Sequence, residues 1–203
     1  MRGWHFTDGM KLRDGTPLEV GRLYTASPPL SMCTHGLHAS VRAIDALQYA
    51  PGSVVSLVEC GGEIEQCDDK LVCSKRRVIA CDDVARELRL WAADCAETAL
   101  MVSEVEDARS WRALDVVRDF ANGLCTAQDL AAASAAASAA AMDAARAAIS
   151  YAASAAARDA ARDAASGAAW DAAWDAAWDA ARAEENSTLE EYLYEALGVT
   201  SCA

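Results

Sequence analysis

Ala168-Ala169-Trp170-Asp171-Ala172-Ala173-Trp174-Asp175-Ala176-Ala177-Trp178-Asp179-Ala180-Ala181-Arg182 closes a run of four-residue repeats. The row starts at Ser134 and passes through Ser138, Met142, Arg146, Ser150, Ser154, Arg158, Arg162 and Ser166 without a slip. Thirty of the 52 residues from 131 to 182 are alanine, the residue least costly to order in a helix, so the local preference is helical. A step of four advances about 400°, so the row drifts about 40° per repeat. Trp170, Trp174 and Trp178 therefore stay within about 80° and form one aromatic stripe, while all thirteen positions cannot share a face. The expectation is two to four shorter helices packed as a bundle, with Gly167 as one break.

Outward from the repeats, the all-α region is expected to span 82–203. Asp82 or Asp83 can cap a helix reaching about Met101, and a second helix runs from Val105 or Glu106 to Ala121, stopped by Asn122-Gly123. Ser187-Thr188-Leu189-Glu190 matches a capping box, so a separate amphipathic helix is expected over 187–197, docked on the bundle. Residues 1–81 read differently, as a small α+β domain. Ser40 can cap a helix from Val41 to about Tyr49, and Pro51-Gly52 ends it. Ser53–Glu59 is β-branched and strand-like. A Gly61-Gly62 turn follows, then short strands at Glu63-Ile64-Glu65, Leu71-Val72-Cys73 and Arg77–Ala80. The fold class expected is α+β, a small mixed head followed by an Ala-rich helical bundle.

Charge narrows the partners. The chain carries a net −13, and residues 129–203 hold 4 Lys+Arg against 12 Asp+Glu. That acidity argues against direct binding of a phosphate backbone. Met1-Arg2-Gly3-Trp4-His5-Phe6 has no apolar leader core, and the uncharged stretch Leu130 to Met142 is too short and weakly apolar to span a bilayer. A cytoplasmic protein is expected, in the host cell if phage-encoded. The eight cysteines form no CxxC pair and are expected to be reduced and mostly buried.

Several residues could carry chemistry. Cys33, His35 and His38 are metal-ligand types within six positions, with Cys60 or Cys67 available as a fourth, but no second pair has recognisable spacing. No metal is expected, and Cys33, His35 and His38 stand as the alternative. Cys33 beside either imidazole could also form a thiolate pair. No complete catalytic set is present, so a non-enzymatic protein without cofactor is expected. Asp68-Asp69-Lys70 and Lys75-Arg76-Arg77 read as a turn and a solvated strand face, or as a ligand-binding rim. Trp170, Trp174, Trp178, Asp171 and Asp175 are the partner-binding candidates, because Trp is enriched at binding hot spots. Self-association through the Ala-rich helices is a further expectation.

Cys33-Thr34-His35-Gly36-Leu37-His38-Ala39-Ser40, then Ala43, Asp45-Ala46-Leu47 and Tyr49-Ala50-Pro51-Gly52, resembles a family of uncharacterised domains in phage and bacterial proteins. Gly62-Glu63-Ile64 and Asp69-Lys70-Leu71-Val72 continue the likeness, which covers residues 4–81 and implies no established activity. The Ala-rich portion is similar in composition to helical domains described as immunity proteins. A more distant likeness, through Leu23-Tyr24-Thr25, Gly36–Ser40 and Val54–Val58, is to ADP-ribosyltransferase-like folds. It implies a nucleotide or ADP-ribose ligand near Tyr24, His38, Ser40 and Glu63, to which Lys70 and Arg76 of the ligand-binding rim are added as candidates, although Thr25 or Ala26 stands where that fold has a basic residue. The leading expectation is thus a binding protein of a phage or mobile element acting on a host or viral protein. A nucleotide- or ADP-ribose-binding head and an acidic decoy of a DNA-binding protein are the alternatives.

Overall fold

The structure is a computed structural model that describes residues 1–102, 104–140 and 167–200, with backbone alone for 167–181. It is α+β, with an antiparallel five-stranded sheet early in the chain and the long helices after it. The strands are β1 (Arg2–Thr7), β2 (Leu23–Thr25), β3 (Leu37–Ala39), β4 (Val54–Gln66) and β5 (Leu71–Asp83). The helices are α1 (Ala43–Leu47), α2 (Ala85–Val102), α3 (Ala108–Ala121), α4 (helical over 127–140) and α5 (Gly167–Leu197). Met1–Leu88 together with Glu185–Ala203 forms one compact unit, and Arg89–Glu184 forms a second.

The centre of the first unit is the β4–β5 hairpin. The sequence suggested four short strands here; the structure has two of 13 residues each. Gly61-Gly62 is therefore no turn. The register shifts between Gly61 and Ile64, and Gly62 sits at φ +73° inside a bulge, a conformation glycine adopts without strain. The actual turn lies at Cys67–Lys70, closed by the Cys67 N–H donating to the Lys70 carbonyl at 2.9 Å. β1, which sequence reasoning left unassigned, pairs antiparallel with β4, while β2 and β3 lie one after the other along the far edge of β5. The residue after β3 then returns to β1. Trp4 N–H donates to the Ser40 carbonyl at 2.7 Å, and Ser40 N–H donates to the Trp4 carbonyl at 3.0 Å. The ring β1–β4–β5–β3–β1 is thereby joined, which occupies backbone groups that an open edge would leave unpaired.

Ser40 consequently does not cap α1. The cap position is Arg42, which makes no side-chain cap bond, and α1 is only five residues long. Its amides are satisfied from the other end of the chain: Ala43 N–H donates to Glu190 Oε1 at 3.2 Å and Ile44 N–H to Asn186 Oδ1 at 3.0 Å. The expected helix start at Ser187 is also corrected, because α5 runs unbroken from Gly167 through Leu197. Its last three turns pack on the head. Leu189 and Leu193 are fully buried, and Tyr194 meets Trp4 edge-on with ring centroids 5.1 Å apart. An amphipathic helix docks wherever its apolar stripe finds a partner, and here Trp4 and the first turn of α1 supply one.

In the second unit, Asp107 caps α3 by accepting the Arg109 N–H at 2.9 Å. Arg118 of α3 reaches Asp94 at 2.8 Å and also Glu97, both on α2. The Trp111 indole N–H donates to the Val105 carbonyl at 2.7 Å. Most of the tetrad row, from Met142 to Ser166, lies outside the described residues. Trp170, Asp171, Trp174, Asp175 and Trp178 are on the described backbone of α5, with their side chains outside the description. Among the described residues no helix is long and apolar enough to cross a membrane.

Candidate functional site

The first half of β4, Val54–Val58, is buried on both faces. Val55 and Leu57, opposite Phe6 and Trp4, lie on one side; Val54, Ser56, Val58 and Cys60 lie on the other. That second face belongs to a core of Leu18, Tyr24, Ala39, Val54, Val58, Cys60, Leu71, Cys73 and Val78. Polar groups sit within it. Arg76 is paired across the sheet with Cys60 on one side and Tyr24 on the other, and it is only 2 % exposed. Its terminal N–H donates to the His38 carbonyl at 2.5 Å, and its Nε has no hydrogen-bond partner. The expected solvated face over Lys75-Arg76-Arg77 is thus only two-thirds right: Lys75 and Arg77 face solvent, whereas Arg76 points inward because strand alternation turns it to the core.

The field of Arg76 is felt by its neighbours. Burial first, and then the charges of Arg76 and His38, hold His5 down to about 3, so this imidazole is neutral at physiological pH. His38 is lowered by burial and then by Arg76. Its Nε2 accepts the Cys33 N–H at 2.8 Å, which leaves its proton on Nδ1. Cys60 and Cys73 act as a pair beside Arg76. The bond from Cys60 is the main influence that brings the Cys73 thiol to about 7, with Arg76 assisting, while the same bond and burial push Cys60 up.

The ligand-binding candidates separate into four places. Tyr24, Arg76 and His38 come together, but the Tyr24 hydroxyl is committed to structure, donating to the Pro17 carbonyl at 2.6 Å and accepting the Glu19 N–H at 3.0 Å. Lys70 lies at the β4–β5 turn, over the Tyr49 ring at 4.6 Å and 3.3 Å from its hydroxyl, which bonds Asp69. Those contacts, with Cys33 nearby, raise the Lys70 ammonium above its ordinary range. Ser40 is spent on the β1 bridge, and Glu63 stands exposed at the bulge, where its N–H donates to Ser74 Oγ at 2.9 Å. In the Cys33, His35, His38 alternative, the His35 Nε2 lies 2.7 Å from the Ser27 carbonyl and the His38 Nε2 is taken by Cys33 N–H. Among the described residues no group of three or more metal-ligand side chains is assembled.

Sequence reasoning missed His5, Ser56 and Cys73, and weighed Cys60 only as a metal ligand. Ser56 faces His5 across β1 and β4, is fully buried, and its hydroxyl has no hydrogen-bond partner. The available signal was alternation: a Ser between Val54 and Val58 on one strand face reads as a polar insertion in a core row. Gly36 also acquires a reason. Its φ is +121°, and a Cβ there would lie 2.4 Å from Val72 Cγ2, so only glycine lets the loop approach β5 before His38. Gly36→Ala should cost about 3 kcal/mol in urea unfolding, from strain and overpacking together. A cost near zero would show that the loop adapts freely.

A family model described as Domain of unknown function (DUF7666) matches residues 3–87, which take in the five strands but for Arg2, α1 and the start of α2. No curated protein and no solved structure matches the chain.

Proposed function

We propose that this chain is a non-enzymatic binding protein in which the head anchors a helical segment that engages a protein partner. The observation that supports it is the return of the chain. Residues 1–88 and 185–203 form one unit, so residues 89–184 leave the head and are brought back to it. Anchoring both ends limits the conformations open to a long segment, and an element ordered beforehand loses less entropy on binding. Trp170, Trp174 and Trp178 fall at four-residue spacing on one continuous helix, the arrangement helix-in-groove recognition uses. The setting in a phage or mobile element, and a host or viral protein as the partner, rest on the resemblance of the Cys33–Ser40 and Asp45–Gly52 motifs. The acidic-decoy alternative turns on Asp171 and Asp175, whose side chains lie outside the described residues.

Affinity capture from host lysate tests the proposal, comparing the full chain with a Trp170→Ala, Trp174→Ala, Trp178→Ala variant. A partner retained by the full chain and lost by the variant, with head unfolding unchanged, is the expected result. Capture of the same protein by both would refute the aromatic stripe as the contact.

A further inference from the structure

Two thiols meet in the core of the head, where the register between β4 and β5 breaks. β4 supplies Cys60, opposite Arg76 of β5, and β5 supplies Cys73, opposite Ile64. Between Gly61 and Ile64, β4 carries one residue more than the stretch of β5 it faces, which is the bulge. Strict alternation would put Cys73, three positions from Arg76, on the other face of β5. The bulge breaks that alternation, and Cys60 and Cys73 belong to one core cluster with Val58 and Leu71. Both are free, buried thiols, and the two side chains are hydrogen-bonded to each other.

The two sulfurs are not equivalent. Cys60 donates the shared bond, and together with burial this keeps its proton in place. Cys73 accepts from Cys60 and from the backbone N–H groups of Gly61 and Lys75, and it lies in the field of Arg76. Each of these contacts favours a thiolate, and together they outweigh burial and bring the Cys73 thiol down. When protonated, its S–H has the Leu37 carbonyl to donate to at 3.3 Å. An ionisable sulfur therefore touches a second sulfur that keeps its proton, which is how an attacking thiol and a resolving thiol are arranged. Neither sulfur reaches the surface, so only a small reagent serves. Gly61 puts no side chain over the bulge, and nothing lies within 4 Å of the place its Cβ would take.

We propose that Cys60 and Cys73 are a redox pair, which a hydroperoxide converts to a disulfide that staples β4 to β5 across the bulge. The Cys73 thiolate attacks one peroxide oxygen and the O–O bond breaks. The hydroxide that leaves takes up the proton Cys73 gave up on ionising, forming water, and Cys73 becomes a sulfenic acid. The Cys60 sulfur then attacks the Cys73 sulfur and the S–O bond breaks. That hydroxide departs with the Cys60 proton as a second water. The thiol pair loses two electrons and the peroxide gains them. The pair lies within the head and is independent of the contact proposed for α5.

Limited treatment of the full chain with hydrogen peroxide, followed by alkylation of the remaining thiols in urea and peptide mass spectrometry, tests this. The expected result is a Cys60–Cys73 cross-linked peptide as the main disulfide, lost on treatment with dithiothreitol. The exposed thiols Cys33 and Cys67 serve as internal references. Cys60→Ala should lose the cross-link and leave a sulfenic acid on Cys73 that a dimedone probe traps, and Cys73→Ala should lose both products. A chain unfolded in urea before the peroxide is added should lose the preference for this pairing, a comparison that needs no variant to fold. Cys60 and Cys73 still alkylatable after Cys33 and Cys67 are oxidised would overturn the proposal. So would a wild-type Cys73 that stops at the sulfenic acid, or the same pairing in the same yield from the unfolded chain.

Discussion

Leu193→Ala is expected to destabilise the head by about 3 kcal/mol, and a chain ending at Glu184 should lose the folded head altogether. Leu193 and Leu189 are fully buried although they lie more than a hundred residues beyond the last strand. Removing either leaves a cavity in a well-packed contact, and the truncation also removes Tyr194, whose ring meets Trp4. α1 adds to the cost. Five residues cannot repay helix nucleation alone, and two of its first amides rely on Asn186 and Glu190. Urea unfolding of the full-length variant measures the first effect, and hydrogen exchange at the Ala43 and Ile44 amides of the truncated chain measures the second. A Leu193→Ala cost within about 0.5 kcal/mol of zero, the range of ordinary surface changes, would contradict the docking described.

Mild acid should unfold the head, through His5. In the folded state its pKa is about 3, against 6.5 for an ordinary imidazole. Between those values the unfolded chain binds a proton that the folded one excludes, so stability is full above pH 6.5 and falls as pH drops toward 3. The slope from this one group is at most about 1.4 kcal/mol per pH unit. His38, also lowered, acts with the same sign. Carboxylates lowered by hydrogen bonds, such as Asp69 and Asp107, add their own loss only below the ordinary carboxylate range, so pH 6.5 to 4.5 isolates the imidazoles. Urea midpoints at pH 7, 6, 5 and 4.5 should decline for the wild-type chain and decline less for His5→Gln. A flat wild-type profile over that range would show that His5 is not held neutral by burial beside Arg76.

The candidate site was partly legible. Arg76, His38 and Tyr24 were singled out by residue type and a distant likeness, and the structure joins all three, although Tyr24 serves the loop at Pro17–Glu19. Lys70, Ser40 and Glu63 went to three other locations, because proximity in a motif says nothing about which strand edge a residue will meet. His5 and Ser56 were passed over since neither has a distinctive neighbour along the chain; each matters only because β1 pairs with β4 in one register. A slip of β1 by one residue would have turned His5 to the opposite face and away from Ser56.

Local chemistry was enough for much of the outline. Alanine's low ordering cost marks the helices, and the β-branched run at Val54–Val58 marks a central strand. What the chain could not reveal by itself was which distant segments would meet: the bridge from Ser40 to Trp4, the inward turn of Arg76, and the return of Leu189 and Leu193 to the head. Helix and strand preferences are summed over near neighbours, so they can be read in one dimension. Burial and pairing depend on surfaces that exist only after the chain has folded back on itself.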